Sequence, residues 1–480
     1  MQGKTPRIAI IGAGMSGMLM AIKLKKAGID NFTIFEKASK VGGTWRENRY
    51  PGVACDVASF SYCYEFEPNP DWTHRFSPGP EIQQYFERVA VKYDLLRFIR
   101  FNTVVTDAVF TDGQWHITTD GGDSETYDLV VAATGPLRER KYPDIAGLAD
   151  FAGHCFHTAD WDDELDLAGK RIGIIGTGSS AVQAVAPLAE KAAHLTVFQR
   201  TAQWVMPTPN PVYSAFNRFL KRRIPLIGWI TRKFYDWIGE QFGRAALHDG
   251  WRRKLIGWAC RQNLASVKDP VLREKLTPHD EPMCRRMIVS ETFYPAMQRP
   301  NVALVTEGIE RIEADGIRSR DGQLHKLDVL VLATGFYPNA WGIKNVTGVD
   351  GQRLDQVWQA GTRTYRSITL PGFPNYFMLI GPNSPITNLS LIDIADIGVD
   401  YIMQCIGKIQ AGEFNTLMPR ADVTAAFNEE LRSAFGGTVW ITGCNSWYLD
   451  ADGVPATWPW VPARYRDDLK TVQLEDYQLA

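Results

Sequence analysis

Two stretches of this 480-residue chain are near-copies of one another. Residues 7–17 read RIAIIGAGMSG and residues 171–181 read RIGIIGTGSSA. Each is an apolar, β-branched run that ends in G-x-G-x-x-G/A and leads into a helix-like segment. That is the strand–turn–helix opening of a dinucleotide-binding unit, in which glycines let backbone N–H groups approach a pyrophosphate. One such pattern is weak, because glycines after apolar strands also serve ordinary tight turns. Two copies at matched spacing point to an α/β fold with two Rossmann-like units.

The copies differ where the ligand is read. Glu36 lies 24 residues beyond Gly12, in FTIFEK, and Arg200 lies 24 residues beyond Gly176, in LTVFQR. An acid at that position accepts hydrogen bonds from a ribose 2′-OH, whereas an arginine suits a 2′-phosphate. The first unit is therefore expected to hold a dinucleotide with a free ribose, and the second NADPH. Two dinucleotides in one chain point to a flavoprotein reductase or oxygenase.

The remaining composition narrows this. Net charge is −2, so no general electrostatic footprint for nucleic acid is present. The seven cysteines, at 55, 63, 155, 260, 284, 405 and 444, form no C-x-x-C pair. An odd count without pattern argues against a disulfide framework, a zinc site or a redox-active pair, and fits a reducing cytoplasm. The first strand begins near Arg7, which leaves no room for a signal peptide, and no apolar run approaches the length of a spanning helix.

Along the chain, TYDLVVAATG (126–135) and LDVLVLATGF (327–336) are buried-strand patterns ending in small residues. In flavoproteins with two dinucleotides such A-T-G segments mark passages between domains. The expected division is 1–150 plus 331–480 for a flavin domain and 151–205 plus 276–330 for an NADPH domain. Residues 206–275 are then a helical insertion near the substrate site. Within it Phe234, Trp237, Ile238 and Phe242 fall at helical spacing, and core packing is the favoured reading of that face. A basic cluster (Arg218, Lys221, Arg222, Arg223) beside Ile224, Leu226 and Trp229 leaves contact with a membrane surface as the alternative.

Two longer motifs are more specific. Residues 151–162, FAGHCFHTADWD, match F-x-G-x-x-x-H-x-x-x-W-P/D at Phe151, Gly153, His157, Trp161 and Asp162. Residues 42–56 match A/G-G-x-W-x4-F/Y-P-G-x3-D at Gly42, Gly43, Trp45, Tyr50, Pro51, Gly52 and Asp56. With these the chain resembles the type I Baeyer–Villiger monooxygenases from end to end. CNSWYLDADG (444–453) brings it nearest the 4-hydroxyacetophenone monooxygenase-like branch.

The resemblance implies a mechanism: NADPH reduces FAD, reduced flavin captures O2 at C4a, and the peroxyanion attacks a ketone to give an ester or lactone. A fixed cation favours that anion and stabilises the adduct. In the family the cation is an arginine in a C-K-R-P segment, and here Arg286 in Met283-Cys284-Arg285-Arg286-Met287 takes its place. Arg285 replaces the family's lysine and Met287 its proline. Asp56 matches the carboxylate that sits against the arginine. FAD is expected at Gly12, Gly14, Ser16 and Gly17, with Glu36 on the adenosine ribose and Thr44, Trp45, Asp56 and Tyr62 lining the flavin ring. NADPH is expected at Thr177, Gly178, Ser179 and Ser180, with Arg200, Thr201 and Arg285 around its 2′-phosphate. Trp440 matches a tryptophan of the loop that closes over NADP. His157 is read as holding backbone groups between domains rather than as a base. The alternatives are an N- or S-oxygenating flavin monooxygenase, against which Trp161-Asp162 speaks, and a non-catalytic flavoprotein.

Overall fold

The computed structural model describes residues 5–337, 343, 345–447, 449–450 and 452–480. Tyr448 and Ala451 of the CNSWYLDADG segment lie outside the described residues.

Both glycine motifs follow the middle strand of a five-stranded parallel sheet. In the first sheet the order is Tyr376–Met378, Leu129–Ala132, Ile8–Ile11, Phe32–Phe35, Ile99–Arg100. In the second it is His154–His157, Val329–Leu332, Arg171–Ile175, His194–Phe198, Val302–Val305. Ile8–Ile11 and Leu129–Ala132 are buried at every residue. Near-continuous apolar runs are what strands need when both sheet faces are covered.

The two sheets place equivalent sequence pieces side by side. Each glycine strand lies between its A-T-G strand and the strand that ends near Glu36 or Arg200. Strand Val329–Leu332 crosses the expected boundary at 330/331 and belongs wholly to the second sheet. The two chain passages between the sheets also pair: Glu139–Arg140 runs antiparallel to Phe336–Tyr337.

Between the two portions of the second unit the chain is helical, at Ala215–Arg223, Pro225–Leu247, Trp251–Ala265 and Pro270–Lys275. The favoured core-packing reading of its stripe requires correction. Phe242 packs against the core, but Phe234 and Trp237 are more than half exposed. Arg232 on the opposite side is buried, donating to the Cys63 carbonyl at 3.0 Å and to Asp393 Oδ1 at 2.7 Å. That anchor sets the rotation of the helix; sequence periodicity identifies a face without saying what covers it.

Candidate active site

The first turn is built for close approach. Gly12 has φ of +109°, and a Cβ there would meet the Ala133 carbonyl oxygen at 2.7 Å. A Cβ on Gly17 would lie 1.9 Å from the Gly12 carbonyl oxygen. The helix Met15–Lys26 begins at Gly14 with no side-chain cap, so its first N–H groups are available to a phosphate. Buried Glu36 accepts from Ala13 N at 2.8 Å and from Ala38 N at 3.0 Å, which fixes its carboxylate at the strand end. Ser16, in the first turn of that helix, is buried as well. This uncapped glycine cradle beside an oriented carboxylate fits the FAD pyrophosphate and ribose.

The second turn repeats the design. Gly176 has φ of +116°, and its Cβ would meet the Ala333 carbonyl oxygen at 2.4 Å. Helix Ser179–Lys191 begins at Gly178, again without a side-chain cap, with Ser179 and Ser180 in its first turn. Thr177 donates to the Thr201 carbonyl at 2.8 Å, which ties the turn to the segment carrying exposed Arg200. An exposed guanidinium next to an uncapped helix start fits the 2′-phosphate of NADPH.

The 42–56 signature joins the units. Gly43 packs against Gly14, and the Trp45 indole donates to the Tyr62 hydroxyl at 3.1 Å; Thr44 beside it is exposed. Tyr50 donates to Gln183 Oε1 at 2.8 Å, and Gln183 donates to the Ala54 carbonyl at 3.0 Å. A Cβ on Gly52 would stand 2.5 Å from the Gln183 carbonyl oxygen. The segment is thus docked on the second unit's helix, and Asp56 is delivered to the seam. Burial pushes the Tyr50 hydroxyl up to about 12 and the Cys55 thiol and Tyr62 hydroxyl above their ordinary values. All three neighbours of Asp56 therefore stay protonated at neutral pH.

At that seam Arg286 donates to Asp56 Oδ2 twice, from Nε at 3.0 Å and from a terminal nitrogen at 2.6 Å. Both side chains are about one-third exposed, so the pair is reachable from solvent. Arg285 turns the other way, into an ion pair with Asp280 at 2.7 Å. Met283 reverses the chain at φ of +75° just before them. A cleft beside the pair is lined by Trp204, Asp280, Met283, Arg285, Arg286 and Met287.

His157 is fully buried where the two passages meet. Its Nε2 donates to the Gly335 carbonyl at 3.0 Å, and its Nδ1 accepts from Ala159 N at 3.1 Å. Tyr142 and Phe336 flank the ring. Burial, with Arg140 nearby, lowers its pKa, so the imidazole is neutral and its two nitrogens hold backbone groups. Gly153 is required by packing: a Cβ there would meet the Asp328 carbonyl oxygen at 2.5 Å and the Phe151 ring at 2.8 Å. Arg49 of the first unit donates to the Trp161 carbonyl at 3.1 Å.

The family model for flavin-binding monooxygenase-like proteins matches residues 5–339. The chain belongs to this family. An uncharacterized monooxygenase of Mycobacterium tuberculosis is 48% identical over 480 residues, covering 100% of this chain and 97% of that one. A Baeyer–Villiger monooxygenase of Streptomyces coelicolor is 38% identical, covering 98% and 92%. The structure of OTEMO in complex with FAD and NADP matches with a TM-score of 0.89 at 28% identity, covering 99% of this chain and 100% of that one. FAD and NADPH are the cofactors of this monooxygenase.

The monooxygenase also holds a feature against which its cysteine pattern argues. Cys284, next to the arginine pair, forms a disulfide with Cys444, 160 residues away. Five other cysteines are free, four of them buried. No spacing rule reaches a single bridge made by tertiary proximity. It ties the arginine segment to the loop that carries Trp440. That tryptophan is buried against Phe435. The Gln183 contacts and the Asp280 pair likewise have no local sequence pattern; Gln183 lies six residues past the turn's Thr177 in no motif of its own.

Proposed function

We propose that this Baeyer–Villiger monooxygenase inserts one atom of O2 beside a ketone carbonyl, with Arg286 as the cation that stabilises the charge formed in attack. The observation that carries the reading is the Asp56–Arg286 pair, two hydrogen bonds to one carboxylate oxygen at the seam between two uncapped glycine turns. When bound, FAD and NADPH supply hydride and the activation of O2.

The chain's own residues then have separable tasks. Gly12, Gly14, Ser16, Gly17 and Glu36 hold the flavin nucleotide, and Thr44, Trp45, Asp56 and Tyr62 border its ring. Thr177, Gly178, Ser179, Ser180, Arg200 and Thr201 hold NADPH. Arg285 lines the cleft from its ion pair with Asp280 and joins the phosphate contacts when it leaves that partner, and Trp440 closes the nicotinamide side. Asp56 fixes the guanidinium plane of Arg286, which faces the negative charge developing on the ketone oxygen. A preorganised donor at a developing oxyanion contributes about 10²–10³ in rate.

The test separates reduction from oxygen insertion. Arg286→Ala is expected to keep FAD and to be reduced by NADPH. It is expected to lose ester formation by about 10²–10³-fold, with reoxidation releasing hydrogen peroxide. Arg286→Lys rescues only partly, because a point charge lacks the planar fork. Stopped-flow absorbance follows the flavin while chromatography measures ester from a panel of cyclic, linear and aryl ketones. Ester at near wild-type rate from Arg286→Ala overturns the assignment.

A further inference from the structure

Helices Ala215–Arg223 and Pro225–Leu247 carry a surface that the oxygenation chemistry does not use. On the longer helix Leu226, Trp229, Ile230, Phe234 and Trp237 are each more than half exposed. With Lys233 they recur at three- and four-residue steps and so form one stripe. On the shorter helix Phe216 and Phe219 are exposed one turn apart. Of the twenty-one large hydrophobic residues exposed among the described residues, eleven fall within 216–258. A patch this concentrated marks an interaction site rather than ordinary surface.

The stripe cannot roll inward. Arg232 is locked to Asp393 and the Cys63 carbonyl, and Gly228 faces the Phe60 ring. On the shorter helix Lys221 lies inward, over the Phe60 and Tyr213 rings at 4.0 and 3.8 Å.

Charge selects the occupant. Residues 215–237 contain six Arg or Lys and one acid, Asp236, in a chain of net charge −2; with Lys221 and Arg232 turned inward, Arg218, Arg222, Arg223 and Lys233 remain to meet a partner. Arg222 pairs with Asp71 and Lys233 stands 3.9 Å from Glu65, but exposed pairs of this kind exchange partners at little cost. Aromatic rings among arginines and lysines on the outer face of a helix match the headgroup–acyl boundary of an anionic bilayer. A second copy docked by two-fold symmetry would bring two faces of the same positive sign together. Spanning is excluded for these helices, because no described helix is long and apolar enough to cross a membrane. We propose that these two helices seat the enzyme on an anionic lipid surface, lying in the plane of the interface.

The test uses the FAD-loaded enzyme and two kinds of vesicle, phosphatidylcholine alone and an equal mixture with phosphatidylglycerol. Wild type is expected to float with the mixed vesicles and to be released by salt. Arg223→Gln with Lys233→Gln is expected to weaken binding on the order of thirtyfold, at about 1 kcal/mol per basic residue. The triple variant Trp229→Ser, Phe234→Ser, Trp237→Ser is expected to lose flotation while keeping its flavin and its thermal midpoint. Tryptophan fluorescence of wild type should shift to the blue on the mixed vesicles and lose its access to an aqueous quencher. Wild type that fails to float with either vesicle overturns the proposal. So does a dimer, seen by sedimentation equilibrium, that the triple variant dissolves, because a second copy then covers the face.

Discussion

The two glycine turns sit at the same place in two sheets of the same order, and two of their differences are a methyl group and the sign of one charge. Gly17 closes the first turn so tightly that a Cβ would lie 1.9 Å from the Gly12 carbonyl oxygen, while the second turn carries Ala181 at the matching position, buried and accommodated. Glu36 is buried and bound by two backbone N–H groups; Arg200 is exposed and no hydrogen bond to it is formed by the neighbouring Thr177–Thr201 link. The first turn is finished before its ligand arrives. The second keeps Arg200, its proposed reader, in solvent, where it can engage and release. That contrast suits a cofactor that stays and a coenzyme that turns over.

The largest expected effect tests the tightness of the first turn. Gly17→Ala forces backbone apart at the proposed site of the flavin pyrophosphate, and overpacking of this kind costs about 3 kcal/mol at its upper end, roughly 150-fold in FAD affinity. The purified variant should show a much reduced ratio of flavin to protein absorbance. Ala181→Gly should bind NADPH almost unchanged and cost about 1 kcal/mol in helix stability. A fully loaded Gly17→Ala protein would erase the distinction between the turns.

The next effect is on the reader. Arg200→Ala should lower the preference for NADPH over NADH by about 2 kcal/mol, roughly thirtyfold, the scale of a hydrogen bond to a charged group. The ratio of kcat/KM for the two coenzymes measures it. An unchanged ratio would move the reading of the 2′-phosphate to another cation, with Arg285 the first to replace.

What the sequence made legible follows the range of the physics. The glycine turns, the readers and the A-T-G strands are local patterns, and the sheets place each of them as a pair of equivalents. The A-T-G repeat gains a reason in the structure: its alanine carbonyl is the atom that Gly12 and Gly176 must approach. Arg286 and Asp56 are legible only through family resemblance, and their 2.6 Å contact spans 230 residues that no spacing rule could bridge. The Cys284–Cys444 bridge and the Gln183 dock depend on tertiary proximity in the same way and left no local trace. The stripe at Phe234 and Trp237 was legible as a face, but its direction is set by Arg232 and Asp393, which are distant in sequence.

The smallest expected effect asks whether the two units are held as one piece by a neutral histidine. His157 joins the passages through Gly335 and Ala159, and burial lowers its pKa below the ordinary value near 6.5. The unfolded chain takes up a proton near 6.5, whereas the folded chain resists it. Below that pH the unfolded state therefore binds more protons, and stability is lost as pH falls toward the folded pKa. Above about 6.5 the contribution is complete. The limiting slope for one such group is about 1.4 kcal/mol per pH unit. His157→Gln keeps a donor and an acceptor but cannot titrate. Its stability at pH 7.5 should fall by about 1 kcal/mol, the scale of one altered hydrogen bond. Its decline between pH 6.5 and 5.5 should then be shallower than that of wild type, by up to the one-group slope. Urea unfolding followed by tryptophan fluorescence at each pH gives the difference directly, because every other titrating group is common to both proteins. Parallel pH profiles for wild type and variant would mean that His157 takes up its proton in the folded state, and the hinge between the two units would then be held by a cation rather than by a neutral ring.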